Sequence, residues 1–403
     1  MANESATNTS VESIDTLPDD VVLHVRGLKT NFYTYEGVVK ALDGVTVELK
    51  TGDTLALVGE TGCGKSVTAK SIMRLVDSPG RIEEGQVLFQ DIDEHGNRNV
   101  VDLLQISVDE MRHIRGNKIA IVFQDPATYP NPVFRVGDQI AEVITLHQDL
   151  SLEILEEKIK NLEDAYVSDP DSEMAVEIRE RIALYQSQLE DPPQPTDKEK
   201  KEYAKKKAIA MLNLVRMPSA AEIANQYPHE LSGGMRQRAM IAMSLSSNPR
   251  ILIADEATTA LDVTVQAQVL KLLNDLKSEL DASIIIITHD LGVVAETCTM
   301  VAVMYAGVVV EYTSTDELFK DPIHPYTSGL LRAIPKLTEK IDRLLQIEGT
   351  VPNLINPPTG CRFHPRCEFA TQECKDERPP REEMRPGHFV ECWHPQGSMK
   401  GRK

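Results

Sequence analysis

The sequence predicts an α/β fold built on a largely parallel sheet, with a smaller region after it. Three observations carry that expectation. The apolar run Leu55-Ala56-Leu57-Val58 leads into GETGCGKS (residues 59–66) and then into the helix-prone Val67-Thr68-Ala69-Lys70-Ser71-Ile72-Met73. That is the strand, glycine turn and helix N-terminus a phosphate cradle requires. Two more apolar runs, Ile251-Leu252-Ile253-Ala254 and Ile284-Ile285-Ile286-Ile287, end in Asp255-Glu256 and Thr288-His289, as strands do when their carboxyl ends face a ligand. Finally, 403 residues at 41% hydrophobic content suffice for one large core plus a smaller one.

In chain order, the first 20 residues are polar and acidic, with no basic or apolar segment of an export signal, and predict a disordered tail. Val22-Leu23-His24-Val25-Arg26 alternates as a strand with one solvated face. Phe32, Tyr33 and Tyr35 are expected in a loop, where an aromatic ring ahead of the glycine turn can stack on a base; Phe32 and Tyr35 are the candidates. A second alternating strand spans 38–49, and a short one 85–89, followed by a polar turn at 91–99. Ile119-Ala120-Ile121-Val122-Phe123 is a buried strand that delivers Gln124. Residues 150–205 read as a charged helical hairpin with a Lys-rich return, inserted in a helical subdomain of about 125–245. LSGGMRQR (231–238) then places Ser232, Gly233, Gly234 and Met235 at a helix start, a second anion-binding arrangement.

Composition excludes several roles. A net charge of -19 opposes a nucleic-acid surface, which needs clustered Lys and Arg. No apolar run reaches the eighteen or so residues of a membrane-spanning helix. Of six cysteines, Cys63 lies in the glycine turn and Cys298 stands apart. Cys361, Cys367, Cys374 and Cys392 crowd the last tenth of the chain, and such a cluster without an export signal points to metal ligation rather than disulfides.

The residue types suit phosphoryl chemistry. Lys65 reaches β- and γ-phosphates as a point charge, and the Ser66 hydroxyl holds Mg²⁺. Gly59, Glu60, Thr61, Gly62, Cys63, Gly64 and Val67 complete the cradle. Asp255 and Gln124 are further Mg²⁺ candidates, Glu256 polarises the attacking water, and His289 contacts the γ-phosphate. Together these residues resemble the ATP-binding subunit of an ABC transporter. GETGCGKS is similar to Walker A, Gln124 to the Q-loop, LSGGM to the signature, 251–256 to Walker B, Thr259-Ala260-Leu261-Asp262 to the D-loop, and His289 to the switch histidine. The likeness implies a RecA-like core with an antiparallel β-subdomain and a helical subdomain over 21–335. It also implies head-to-tail dimers in which Ser232, Gly233, Gly234, Met235 and Asp262 complete the partner's ATP site.

FQDPATYPNPVFRVGDQI (123–140), YPHELSGGMRQR (227–238) and HPYTSGLL (324–331) are similar to the oligopeptide/dipeptide importer family, and Met235 resembles its first ATPase subunit. The family string departs at Ala127-Thr128-Tyr129-Pro130, and the 150–205 hairpin is longer than the family leads one to expect. The resemblance implies a second ATPase subunit, two permeases, an extracellular substrate-binding protein and a place on the cytoplasmic face of the membrane. Nickel, opine or sugar cargo is the alternative, and a soluble ABC ATPase of nucleic-acid metabolism is a distant one. Beyond residue 335 a charged helix over 337–345 and a Pro-rich segment precede C-x5-C-x6-C-x17-C. Four thiolates suit zinc or an iron-sulfur cluster. Absent CxxC knuckles weigh against zinc, and the family's GC-x-F-x-PRC element implies a 4Fe-4S cluster. His364, His388 and His394 are alternative ligands.

Overall fold

The structure, a computed structural model, describes residues 16–92, 96–125, 128–170, 174–257, 263–280, 282–333 and 347–397. The chain divides into two compact units: Met1–Met111 with Ser283–Lys403, and Arg112–Ala282.

The strands are β1 (Val21–Thr34), β2 (Gly37–Lys50), β3 (Thr54–Val58), β4 (Gly80–Ile92), β5 (Arg98–Asp102) and β6 (Ile119–Val122). They continue as β7 (Ile251–Asp255), β8 (Ser283–Thr288), β9 (Met300–Tyr305), β10 (Val308–Ser314), β11 (Arg381–Arg385) and β12 (His388–Glu391). In the first unit, β2-β1-β4-β5 form an antiparallel sheet. Its inward residues Val25, Leu28, Val45, Val87 and Phe89 are inaccessible to solvent. Beside it, β3 pairs in parallel with β8 and β9, Val58 opposite Thr288 and Val303. Every residue of β3 and β8 is buried, which is why both strands read as continuous apolar runs. β10 returns antiparallel to β9, and the hairpin β11–β12 adds to β10. The last strands thus extend the sheet of the preceding domain, rather than forming a separate C-terminal body.

The second unit pairs β6 with β7 in parallel, Ile119 opposite Ile251, and is otherwise helical among its described residues. The hairpin helices are Ser151–Ser168 and Ala175–Ser187. The Lys-rich return is a helix too, Asp197–Leu214: Thr196 accepts from the Glu199 N–H while the Glu199 carboxylate takes the Thr196 N–H, a capping box.

Several expectations are corrected. Phe32 and Tyr33 lie in β1, because pairing with β2 runs to the hairpin end at Thr34 and Gly37; only Tyr35 is in the turn. β4 is longer than 85–89, and β5 arises within the span expected to be a turn. Leu17 is buried against Val21 and Leu88, so the packed fold reaches back into the expected 1–20 tail. The helix expected over 337–345 and Asp262 lie outside the described residues.

Candidate functional site

In the first unit the glycine turn closes on itself. Gly59 has φ +150°, and a Cβ there would sit 2.1 Å from the Met304 carbonyl oxygen. Gly64, at φ +106°, is the residue before the helix Lys65–Ile72, and a Cβ would meet Leu42 at 2.8 Å and the Ala41 carbonyl at 2.9 Å. Gly62 faces open space. Lys65 is buried, and its Nζ donates to the carbonyls of Gly59 at 2.9 Å and Glu60 at 3.2 Å. The lysine is thus folded over the cradle's own carbonyls, pre-positioned above an anion seat. Glu60 donates its N–H to the Tyr326 hydroxyl at 3.0 Å. The Cys63 N–H donates to the Glu60 carbonyl; burial pushes the Cys63 thiol up, which makes it a packing group rather than a nucleophile. Thr61 is exposed, and Ser66 and Val67 are half-buried at the start of the helix.

Of the aromatic candidates, Phe32 packs its ring against Gly80. Tyr33 donates to Glu83 at 2.8 Å beneath the Arg81 guanidinium. Tyr35 alone of the three is fully exposed, available to a flat ring. His289 is exposed at the C-terminal end of β8. The next residue, Asp290, caps the helix Leu291–Thr297 by accepting from the N–H groups of Gly292 and Val293.

In the second unit, Gln124 follows β6 and Glu256 follows β7, and the parallel pairing of those strands brings them together. Gln124 Nε2 donates to Glu256 Oε2 at 2.6 Å. Glu256 sits at φ +46°, a left-handed conformation uncommon outside glycine and associated with functional strain. Asp255 is 4% exposed at the end of β7. Ser232 caps the helix Gly233–Leu245, its Oγ accepting from the Met235 N–H at 3.4 Å. A Cβ at Gly233 would meet nothing within 4 Å, whereas one at Gly234 would strike Val265 at 2.9 Å. Gly233 therefore presents bare backbone to an incoming group, and Gly234 permits close helix packing. Tyr129, where the family string departs, stacks on Phe123 at 4.1 Å.

The four tail cysteines gather in the first unit. Cys361 N–H donates to the Cys374 carbonyl at 2.8 Å. Cys392 Sγ accepts from the His394 N–H at 3.3 Å, and the His364 N–H donates to the Cys361 carbonyl at 3.1 Å. Burial pushes Cys361 up to about 11 and Cys392 to about 12, and the neighbouring thiols add to both shifts. Among the described residues, no group of three or more His, Cys, Asp or Glu is arranged to hold a metal ion. The three histidine alternatives are engaged elsewhere: His388 Nε2 with Glu311 at 2.8 Å, His394 Nε2 with Thr371 at 2.8 Å, and His364 Nδ1 with the Cys361 carbonyl. Arg366, the arginine of the PRC string beside Cys367 to which the sequence assigns no role, reaches the glycine turn and forks the Glu60 carboxylate at 2.6 and 3.0 Å.

The ABC transporter family matches residues 42–259, and the oligopeptide/dipeptide transporter C-terminal region matches 310–374. A probable peptide ABC transporter ATP-binding protein of Sinorhizobium fredii is 43% identical over 93% of this chain and 95% of its own length. The oligopeptide transport ATP-binding protein OppD of Bacillus subtilis is 42% identical over 93% and 89%, and the dipeptide transport ATP-binding protein DppD of Lactococcus lactis 41% over 94% and 92%. A dimeric ATP-binding cassette in a post-hydrolysis state with ADP and Pi superposes with TM-score 0.53 at 21% identity, over 73% of this chain and 98% of that one, a likeness of fold. The chain belongs to the ABC transporter ATP-binding protein family.

Proposed function

We propose that this chain is the ATP-hydrolysing subunit of an importer of dipeptides and oligopeptides, working with membrane permeases at the cytoplasmic face. The observation that carries the reading is the glycine turn. It has two positions where no side chain fits and a buried lysine held over its carbonyls, in a chain whose C-terminal region matches the oligopeptide/dipeptide type.

Each residue then has a role. Lys65 exchanges its two carbonyl partners for β- and γ-phosphate oxygens, and Tyr35 stacks on the adenine. The motif resemblance assigns Ser66, Gln124 and Asp255 as oxygen donors that would suit Mg²⁺. Bound there, Mg²⁺ would offset charge on the triphosphate. Glu256 accepts the proton of the attacking water, Gln124 holds that carboxylate until nucleotide arrives, and His289 donates to the γ-phosphate. Ser232, Gly233, Gly234, Met235 and Asp262 close over the nucleotide of a second, homologous ATPase subunit. ATP is then an interfacial ligand, so binding favours the closed dimer and hydrolysis releases it. A binding protein outside the cell completes the importer.

Docking on the permease is supported by the helical unit. Val133, Phe134 and Leu146 are 70%, 55% and 74% exposed. The last two line a cleft of about 730 Å³ with Asp138, Lys200 and Lys205. Exposed apolar side chains rimmed by charge mark a partner surface.

The cysteine spacing, lacking CxxC knuckles, favours a 4Fe-4S cluster over zinc, although among the described residues no group of ligand side chains is arranged around a metal. Cys392 Sγ accepts the His394 N–H at 3.3 Å, a bond that stabilises thiolate charge. Burial raises the Cys361, Cys367 and Cys392 thiols, so their ionisation calls for a metal beside them. Cys361, Cys367, Cys374 and Cys392 are the ligands, in a structural role.

The test is Glu256→Gln in the assembled transporter. Peptide-stimulated hydrolysis should fall at least 100-fold while ATP remains bound; retained turnover would overturn the role of Glu256.

A further inference from the structure

One side chain joins the cysteine element to the phosphate loop. Arg366 ends the 3-10 turn His364–Arg366, immediately before Cys367. Its side chain is 4% exposed. Beyond its fork on Glu60 it donates to the carbonyls of Glu348 at 2.9 Å and Ile347 at 3.1 Å, and lies 5.7 Å from the Tyr305 ring centroid. Glu60 is consequently held on three sides. Its N–H is taken by Tyr326, its carbonyl receives the Cys63 N–H and Lys65 Nζ, and its carboxylate is taken by Arg366. A two-point guanidinium–carboxylate pair fixes direction as well as charge.

We propose that Arg366 is a positioning residue of the ATP site, through which the cysteine element holds the entry turn of the phosphate loop. The proposal rests on reading that loop as the ATP cradle. Two effects combine. Fixing Glu60 holds the entry turn of the loop in place before nucleotide arrives, so the loop does not spend binding energy on ordering itself. Neutralising its carboxylate removes a negative charge from the loop that receives a triphosphate. Folding of the cysteine element and nucleotide affinity are thereby linked, each strengthening the other.

The neutralisation makes a sharp genetic signature. With Arg366 removed, Glu60 stays charged and unpaired beside the phosphates; with both removed, the repulsion disappears. The experiment is equilibrium titration of the full-length protein with a fluorescent ATP analogue and Mg²⁺. Arg366→Gln should weaken binding roughly tenfold, Glu60→Gln by no more than about threefold, and the double variant should return to the Glu60→Gln value. Arg366→Lys, which keeps the charge but loses the fork, should fall between wild type and Arg366→Gln. If Arg366→Gln does not fold, the same cycle is run with Arg366→Lys. A double variant as weak as the Arg366 variant alone, or weaker, would show that Arg366 serves only the folding of the cysteine element and overturn the proposal. So would an unchanged affinity in the Arg366 variant. Failure of the wild-type protein to bind the analogue would instead overturn the nucleotide reading itself.

Discussion

Two glycines of one motif should respond very differently to the same methyl group. In Gly59→Ala the new Cβ would lie 2.1 Å from the Met304 carbonyl oxygen and 2.8 Å from Cys63 Sγ, at φ +150°. Met304 cannot easily retreat, because its neighbour Val303 is opposite Val58 in the β3–β9 ladder. The substitution meets a strained backbone, about 1–3 kcal/mol, and an overpacked contact of about 1–3 kcal/mol. A net loss of about 3 kcal/mol in a unit this size lowers Tm by roughly 6–12 °C. Gly62→Ala meets nothing within 4 Å, with φ +80°, and incurs only the backbone cost of about 1 kcal/mol, or roughly 2–4 °C. Thermal melting by circular dichroism with and without Mg·ATP measures both. Nucleotide should raise Tm in the wild type and in Gly62→Ala and far less in Gly59→Ala, whose loop must shift off Met304. Equal melting of the two variants, or a Gly59→Ala protein within about 2 °C of wild type, would refute the account of why glycine stands there.

Thr196→Ala removes one half of the capping box on the helix Asp197–Leu214. It should destabilise the helical unit by about 1 kcal/mol in urea titrations. His324 is buried, its pKa lowered to about 4 by burial despite the pull of Glu311; its Nδ1 accepts the Tyr326 N–H. A histidine depressed in the fold takes up its proton more readily when unfolded, so stability is full above pH 6.5 and declines as pH falls towards 4, by on the order of 3 kcal/mol. His324→Asn, which keeps a capping acceptor, should flatten that slope. Cys361→Ser should abolish the visible charge-transfer absorbance of the anaerobically purified protein; a colourless wild type with stoichiometric zinc would reverse the metal assignment.

The parts of this protein legible in its sequence are those whose chemistry is local. The glycine turn, the Walker B strand and the signature are each contained in eight or so residues, and the strands they need are apolar because they are buried on both faces. The Lys-rich return does not read as a helix, although the structure shows Thr196 and Glu199 forming its capping box, because its run of charges reads as a solvated segment. What the sequence hides is pairing between distant polar residues. β11 and β12 join the sheet through Glu311 opposite Val390, with His388 donating to the buried Glu311 carboxylate. Nothing about Arg381 to Glu391 in isolation announces a strand. Arg366 and Glu60 lie 306 positions apart, and no periodicity links them.

Glu256 shows how the local and the distant meet. A left-handed backbone at a glutamate costs on the order of 1–3 kcal/mol, and it follows a strand whose residues are all buried, so the sheet supplies the rigidity that imposes it. That conformation turns the carboxylate onto the Gln124 amide at the end of the neighbouring strand. The proposed base is therefore restrained by a side chain that is itself a Mg²⁺ candidate. Were Mg²⁺ bound to the Gln124 amide oxygen, as the Q-loop resemblance implies, rotation of that amide towards the ion would weaken its hold on Glu256 and leave the carboxylate for water. Gln124→Ala should consequently raise the basal, nucleotide-uncoupled mobility of Glu256 while lowering transport-coupled hydrolysis at least tenfold. A variant that hydrolyses ATP and transports peptide as the wild type does would show that the contact between Gln124 and Glu256 has no part in gating the base.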